Sequence, residues 1–587
     1  MTSQLAAVHE AAESARGAPG WPWLASYPRH VSWSEPIAAA PLYALLDAAV
    51  DRHPHAKCTT FLGRSTTYAE IGAAVDAIAA GLQDLGLPRG SRIGLFLPNC
   101  PTFIVYYYAV LKAGHVVVNV NPLYTTEELA GQIRDSGLAL MVTLDLKVLF
   151  DKVEALISDG TLPRAIIAPF CAQLPGTKAA LFRLLKGRQL ARPLASRVTD
   201  RLILEADLAR GGEKPDPIAI DPLEDLAILQ YTGGTTGTPK GAMLTHANAY
   251  VNAIQVARWA PPPTGEEERV LGVLPFFHVF AMTVVMNYAI ARAAHILVMP
   301  RFVLDDALHL IHTLKPTFMP AVPTLFTAIM NHPRIASYDL SSIRFCISGG
   351  AALPFEVKER FEALTGCAIV EGYGLSEASP VVTCNVVEGP SRPGSIGLPF
   401  PNTIVSLRDL DDPEREVPLG AKGELCVKGP QVMRGYWQKP QETAAVFTSD
   451  GFLRTGDVAR MSPDGSLAIE DRIKDLIICS GYNVYPRRIE EAIYTHPAVA
   501  EVTVIGIADA YRGEAPKAFV RLKPGEALDA DQLMAHLELK LSHIELPAVI
   551  EFRDELPKTM IGKLSKKELK AEEARKAAAA RSGSAPH

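Results

Sequence analysis

The sequence predicts an α/β protein: a large N-terminal domain of doubly wound mixed sheets with a small β-rich subdomain, then a small α+β C-terminal domain. Three observations carry this. Short β-branched runs alternate with helix-length stretches through residues 91–348. After about Gly394 the pattern changes to short strands punctuated by Gly and Pro. From about Leu476 a compact mixture of both patterns returns and ends near Leu569.

Ser91–Leu97 reads as a buried strand, Thr102–Ala113 as a helix, His115–Val120 as a strand, Thr126–Ser136 as a helix and Leu138–Leu144 as a strand. Alternation at this spacing implies parallel pairing with helices on both faces. It resumes at Leu226–Gln230, Arg269–Leu274, His295–Met299, Thr317–Val322 and Ile343–Ser348. Thr403–Leu407, Glu424–Lys428 and Gly465–Glu470 form the β-rich subdomain, about residues 394–470. The tail 571–587, AEEARKAAAARSGSAPH, has no apolar face and reads as frayed helix giving way to disorder.

Composition sets the outer bounds. With 587 residues, 48% hydrophobic and 21% charged, the chain can bury several cores, which excludes intrinsic disorder for its bulk. The charge sum, 58 − 64 = −6, without a polybasic arm, argues against nucleic acid as a partner. The eight cysteines form no CxxC pair, which argues against a zinc cluster or disulfide scaffold and fits a reducing, cytoplasmic setting. Met1–Gly20 contains Glu10, Glu13 and Arg16 and no apolar core, unlike a secretory signal. The apolar stretches Phe103–Val120 and Val279–Pro300 are interrupted by Lys112, His115, Asn287 and Arg292, and read as buried elements rather than spans. Nothing in the sequence indicates an oligomer.

Residues 178–201 set Leu181, Leu184 and Leu185 beside Arg183, Lys186, Arg188, Arg192, Arg197 and Arg201. Two readings stand: a surface helix with a solvated basic face, or a basic amphipathic contact with an anionic membrane surface at the inner membrane face. Gly187 and Pro193 limit the length of such a helix.

The strongest chemical signal is YTGGTTGTPKG, Tyr231–Gly241, directly after the apolar run Leu226–Gln230. Its backbone N–H groups, hydroxyls and lysine can wrap phosphate oxygens. It is not a Walker A loop, because Lys240 follows Pro239 and precedes Gly241. The loop resembles the phosphate-binding loop of the adenylate-forming superfamily of acyl-CoA synthetases, luciferases and peptide-synthetase adenylation domains. Six further family motifs follow in order: LPFFHVF at Leu274–Phe280, SGGAAL at Ser348–Leu353, EGYGLSE at Glu371–Glu377, RTGD at Arg454–Asp457, DRIKDLI at Asp471–Ile477 and PKTMIGKL at Pro557–Leu564. The resemblance covers about Trp21 to Leu569.

The resemblance implies two half-reactions: a carboxylate attacks the α-phosphate of ATP to give acyl-AMP and pyrophosphate, then a thiol, usually that of coenzyme A, displaces AMP. It implies that Thr232, Gly233, Gly234, Thr235, Thr236, Gly237 and Lys240 hold the ATP phosphates, with Glu377 and Thr232 as Mg²⁺ ligands. Tyr373, between Gly372 and Gly374, and Ser376 belong to the adenine side, with Gly350 and Ala351 as the other wall. Asp457 would accept the ribose hydroxyls with help from Arg472, and Lys563 would contact the α-phosphate and the acid. His278 would lie near the acyl carboxylate. Lys474 would be the hinge of a mobile C-terminal domain, dividing the chain into 1–473 and 474–570. Ser480, Gly481 and Tyr482 would line the coenzyme A side. Arg487 and Arg488 read either as coenzyme A contacts or as an exposed first helical turn.

Gly234 and Ser376 replace a common serine and threonine of the family, and Glu545 and Ala548 stand where many acyl-CoA synthetases carry lysines. WLASYPRHVSW, VVVNVNPLYTTEEL and ICSGYNVYPRRIEE are similar to bacterial long-chain fatty-acid–CoA ligases, as is the basic insert Phe150–Ala209. The substrate this implies is a fatty acid. Medium-chain or aryl-acid CoA ligases, and acyl-AMP ligases that load a carrier protein, share the motifs and stay open.

Overall fold

Parallel strands buried on both faces build the first of two large sheets, and their sequences carry almost no polar alternation. Every residue of Val116–Val120 is buried, with Arg92–Phe96 parallel on one side and Leu226–Thr232 parallel on the other. The computed structural model describes residues 21–209, 214–232, 239–261, 265, 267–389, 394–480, 482–509, 511–559 and 563–582. This first sheet has 7 strands: Leu202–Leu204, Ala165–Ala168, Leu140–Leu144, Arg92–Phe96, Val116–Val120, Leu226–Thr232 and Lys240–Thr245 in spatial order. Its last pair is antiparallel, with Thr232 opposite Lys240. Tyr231 and Thr232 at one end of the phosphate-loop sequence are therefore paired with Gly241 and Lys240 at the other, on a sheet edge.

Local signals fix the connecting helices. Thr126–Ser136 opens on a capping box between Thr125 and Glu128 and ends on Gly137 at φ +61°. Tyr68–Asp84 opens on the same device, Thr67 with Glu70.

The second sheet has 13 strands. Its parallel centre runs through His295–Val298, Arg269–Gly272, Phe318–Ala321, Phe345–Gly349 and Ala368–Gly374. A hairpin that the sequence reading did not find, Lys57–Phe61 with Arg64–Thr67, adds to one edge by parallel pairing with His295–Val298. At the other edge the β-rich region joins the sheet directly. Ser395–Pro399 pairs with Val381–Cys384 and with Leu467–Arg472, so the region extends the main sheet and shares its hydrophobic core.

That core runs from Trp23 to Leu467. Beyond it, Ile477–Cys479, Tyr482–Val484, Val499–Asp509, Gly513–Leu522 and Val549–Phe552 form a separate sheet over separate clusters that include Ile489, Val504, Leu533 and Leu569. The last helix, Lys566–Ser582, carries into the stretch read as a frayed, disordering tail. Leu569 anchors its first turns in an apolar cluster, and charge seats the stretch beyond: Arg553 donates to both Glu572 carboxylate oxygens, at 2.9 and 2.6 Å, and Lys517 pairs with Glu573 at 2.9 Å.

The helix over Gly176–Lys186 stops at Gly187, and short 3₁₀ turns cover the rest of the basic insert. Leu184 is 81% exposed and Leu194 75% exposed. Among the described residues no helix is long and apolar enough to cross a membrane.

Candidate active site

The C-terminal ends of adjacent parallel strands, Phe345–Gly349 and Ala368–Gly374, deliver SGGAA and EGYG to the carboxyl end of the 13-stranded sheet, where open α/β sheets bind ligands. Gly374 is required by crowding: a Cβ there would overlap the Pro380 carbonyl oxygen. Tyr373, from the same strand, donates its hydroxyl to Asp457 Oδ2 at 2.5 Å. Arg472, directly across the antiparallel pair from Asp457, approaches Oδ1 at 3.3 Å. A carboxylate offers about four lone-pair sites, so acceptor capacity remains for two ribose hydroxyls.

Asp457 is positioned from behind by a residue the sequence reading missed. Glu424 is 2% exposed and accepts the Gly456 N–H at 3.0 Å and the Arg454 Nε–H at 2.9 Å. It holds the RTGD segment of the strand Leu453–Met461 from inside the β-rich sheet. A lone glutamate in the apolar strand Lys422–Lys428 was the available signal.

Lys563 reaches this cluster from the C-terminal part of the chain. Gly350 sits at φ +82°, and a Cβ built there would lie 2.5 Å from Lys563 Cε and 2.9 Å from Nζ. Burial and the neighbouring Arg472 guanidinium lower the Lys563 amine to about 8, with Asp457 opposing. The amine is still mostly a cation at neutral pH. Ala351 follows Gly350 and is exposed.

His278 caps a short helix, its Nδ1 accepting the Phe280 N–H at 3.3 Å. The ring proton therefore resides on Nε2. Burial, then the Lys563 charge, push the imidazole down to about 3, so it is a neutral donor and not a base at working pH. Two buried amides fix its turn. Asn99 Oδ1 accepts Phe276 N–H at 2.7 Å, and Gln230 Nε2 donates to the Phe277 carbonyl at 3.1 Å. Neither amide was singled out from the sequence, since a buried Asn or Gln gives no spacing.

On the phosphate side, Thr232 and Lys240 face each other across the hairpin, while Gly233, Gly234, Thr235, Thr236 and Gly237 lie outside the described residues. Glu377 lies in the 3₁₀ turn Ser376–Ala378, and one carboxylate oxygen accepts the Tyr436 hydroxyl at 2.8 Å. Among the described residues no group of three or more His, Cys, Asp or Glu could hold a metal ion. A single carboxylate with hydroxyl and phosphate oxygens suits Mg²⁺, which keeps several waters and binds with substrate phosphates.

Elsewhere the residues are not gathered. Lys474 lies in the 3₁₀ turn Ile473–Asp475 between the two cores. Ser480 stands at φ +53° and Tyr482 is 63% exposed, on a hairpin of the C-terminal sheet, and Gly481 lies outside the described residues. Arg487 donates to the Ile469 carbonyl at 2.8 Å, and its N–H to Asp471 at 2.8 Å, so its helical turn is docked rather than free. Arg488 pairs with Glu545 at 3.1 Å.

A family model described as AMP-binding enzyme matches residues 46–437, and one described as AMP-binding enzyme C-terminal domain matches 488–563. The chain belongs to the AMP-binding enzyme family. It is 43% identical over 552 residues to a long-chain-fatty-acid–CoA ligase of Bacillus subtilis, covering 94% of this chain and 98% of that protein. It is 38% identical over 564 residues to one of Yersinia pestis, with the same coverage, 94% and 98%. The crystal structure of ATP-bound MatB from Rhodopseudomonas palustris matches with a TM-score of 0.78 at 29% identity, covering 91% of this chain and 99% of that one. Of the motif residues, Gly350, His278, Asp457 and Arg472 lie by Lys563, and Tyr373 joins them through Asp457.

Proposed function

We propose that this protein is an AMP-forming ligase that activates a long-chain fatty acid to acyl-AMP with release of pyrophosphate, then transfers the acyl group to coenzyme A. The observation that carries it is Lys563, half-buried against Gly350 beside the Tyr373–Asp457–Arg472 cluster and His278. The two curated relatives bear the name of that activity over nearly the whole chain.

An acid anion must approach a polyanion, so the first half-reaction needs charge neutralisation more than a strong nucleophile. Lys563 places a cation where charge grows on the α-phosphate. His278 offers its Nε2–H to an oxygen of the acid and orients the other oxygen for attack. Asp457 takes the ribose, Tyr373 the adenine face, and Thr232 and Lys240 the outer phosphates. Glu377 and Thr232 would hold Mg²⁺, which supplies further charge neutralisation on the phosphates when bound. A long-chain acid requires a long apolar pocket, since each buried CH₂ contributes roughly 0.8 kcal/mol.

The second half-reaction needs Lys563 to withdraw and Ser480–Tyr482 to approach, which we assign to rotation of residues 474–570 about Lys474. The enzyme works in the cytoplasm, and the exposed leucines and arginines of 178–201 rest on an anionic membrane surface that carries its substrate. Loss of co-sedimentation with anionic vesicles in Leu184→Ser/Leu185→Ser would be expected; unchanged sedimentation would refute the contact.

Pyrophosphate release across straight-chain acids and aryl acids, with and without coenzyme A, tests the main reading. Long acids should be preferred, and acyl-CoA should form only with coenzyme A present. Preference for short or aryl acids would overturn the chain-length assignment, and acyl-AMP that coenzyme A cannot discharge would overturn the acceptor.

A further inference from the structure

Met433–Trp437 attracted no notice in the sequence, yet it is a strap along the phosphate-loop hairpin. Met243 N–H donates to the Gly435 carbonyl and Arg434 N–H to the Met243 carbonyl, both at 2.9 Å, and Trp437 N–H donates to the Gly241 carbonyl at 2.8 Å. Met433 N–H donates to the Glu377 carbonyl at 2.7 Å, tying the strap to a second functional segment. Its own fold is fixed by Thr443, whose hydroxyl oxygen accepts Tyr436 N–H at 2.9 Å.

Tyr436 stands where these segments meet, and only 9% of it is exposed. Its hydroxyl donates to Glu377 Oε1 at 2.8 Å, and the Lys240 ammonium lies 5.1 Å from the centroid of its ring. Among the described residues Lys240 and Glu377 make no ion pair with each other, although one side chain touches both.

This arrangement has a physical consequence. A phenol donating to Oε1 fixes the rotation of the carboxylate and leaves Oε2 for another partner. Mg²⁺ tolerates little error in ligand placement, so an outer hydrogen bond of this kind tunes its affinity. The ring face attracts the ammonium. It gives Lys240 a seat that does not neutralise Glu377, so both charges remain available to phosphate and cation.

We propose that Tyr436 is a positioning residue for the Mg²⁺–phosphate side of the site: its hydroxyl aims Glu377 and its ring holds Lys240 apart from that carboxylate. The inference rests on the assignment of Glu377 to Mg²⁺ and Lys240 to phosphate made above.

Calorimetric ATP binding to the full-length chain, over a Mg²⁺ series and in excess chelator, tests it without turnover. Tyr436→Phe should raise the Mg²⁺ needed for half-maximal enhancement of ATP binding roughly tenfold, and leave metal-free ATP affinity unchanged. Tyr436→Leu should do the same and also weaken metal-free ATP binding, since Lys240 loses its seat. Glu377→Gln is the control, and should shift the Mg²⁺ requirement at least as far. If Glu377→Gln shifts it and Tyr436→Phe does not, the role of Tyr436 is wrong while the Glu377 assignment stands. If Glu377→Gln shifts nothing, that assignment fails and the inference fails with it. Equal losses of metal-free and Mg²⁺-dependent binding in Tyr436→Phe would mean a merely structural tyrosine and would also overturn the proposal.

Discussion

Asp457 and Lys563 face the same space but are held by different kinds of structure. Asp457 belongs to the large core: it lies in a strand paired on both sides, takes the Tyr373 hydroxyl, and is backed by the buried Glu424. Lys563 is held by the neighbouring Lys558–Leu564 bridge and by its own N–H on the Thr559 hydroxyl at 3.1 Å. It belongs to a unit with separate hydrophobic clusters. The contacts by which that unit leans on the larger one include Arg487 on Ile469 and Asp471, Lys523 with Glu356 at 3.3 Å, and Lys422 over the Tyr485 ring at 4.1 Å. Exposed pairs such as Lys523–Glu356 contribute about 0–1 kcal/mol each. Groups that bind the nucleotide are thus preset by a core, and the cation used in the chemistry sits on a unit with its own core, joined to the first by polar contacts such as these.

Lys563→Ala should expose this division most strongly. Removing one electrostatic stabiliser costs on the order of 10²–10³ in rate, about 3–4 kcal/mol. The loss should fall on acyl-AMP formation measured by pyrophosphate release, and conversion of supplied acyl-AMP to acyl-CoA should be largely spared. Equal losses in both would break the comparison.

Asp457→Ala should act on binding instead, raising the KM for ATP by roughly 10- to 100-fold through two lost charge-assisted hydrogen bonds. An unchanged KM would place the ribose elsewhere.

The smallest effect is a titration. The Lys563 amine, lowered to about 8 by burial and Arg472, is cationic below that pH and loses its charge above it. Adenylation kcat/KM should therefore fall as pH rises through about 8, rather than near the ordinary lysine value of 10.5. No limb should appear near 6.5, because His278, pushed down to about 3, stays neutral throughout. An imidazole limb that vanishes in His278→Asn would show that the ring takes up a proton after all.

Much of the site was legible because its residues contradict their surroundings. Glycines, hydroxyls and a lysine directly after the apolar run ending at Gln230 need a reason, and so does Asp457 in a Gly-containing segment. The strands of the parallel sheets were legible from the same logic, since Val116–Val120 and Leu140–Leu144 carry almost no polar residues. What stayed hidden depends on contacts distant in sequence. Tyr436 looks like half of an aromatic pair with Trp437 until the strap is folded onto Gly241–Met243. Glu424 acquires a role only when Gly456 arrives opposite it. The attachment of the β-rich region rests on Ser395–Pro399 finding Val381–Cys384, a register that local pattern does not encode. Beyond Leu569 the helix over 566–582 is seated by Arg553 and Lys517, residues of other elements.

The central claim is that one small unit serves the two half-reactions at different times, turning about Lys474. Proline fixes φ near −65° and removes an N–H, whereas glycine restricts nothing. The decisive measurement is a single-turnover experiment on Lys474→Pro, with Lys474→Gly beside it and the fold checked by circular dichroism. Pyrophosphate release should persist in the proline variant while acyl transfer to coenzyme A fails, and glycine should be tolerated in both steps. Comparable loss of both half-reactions in a folded proline variant would contradict the account and give Lys474 a static role.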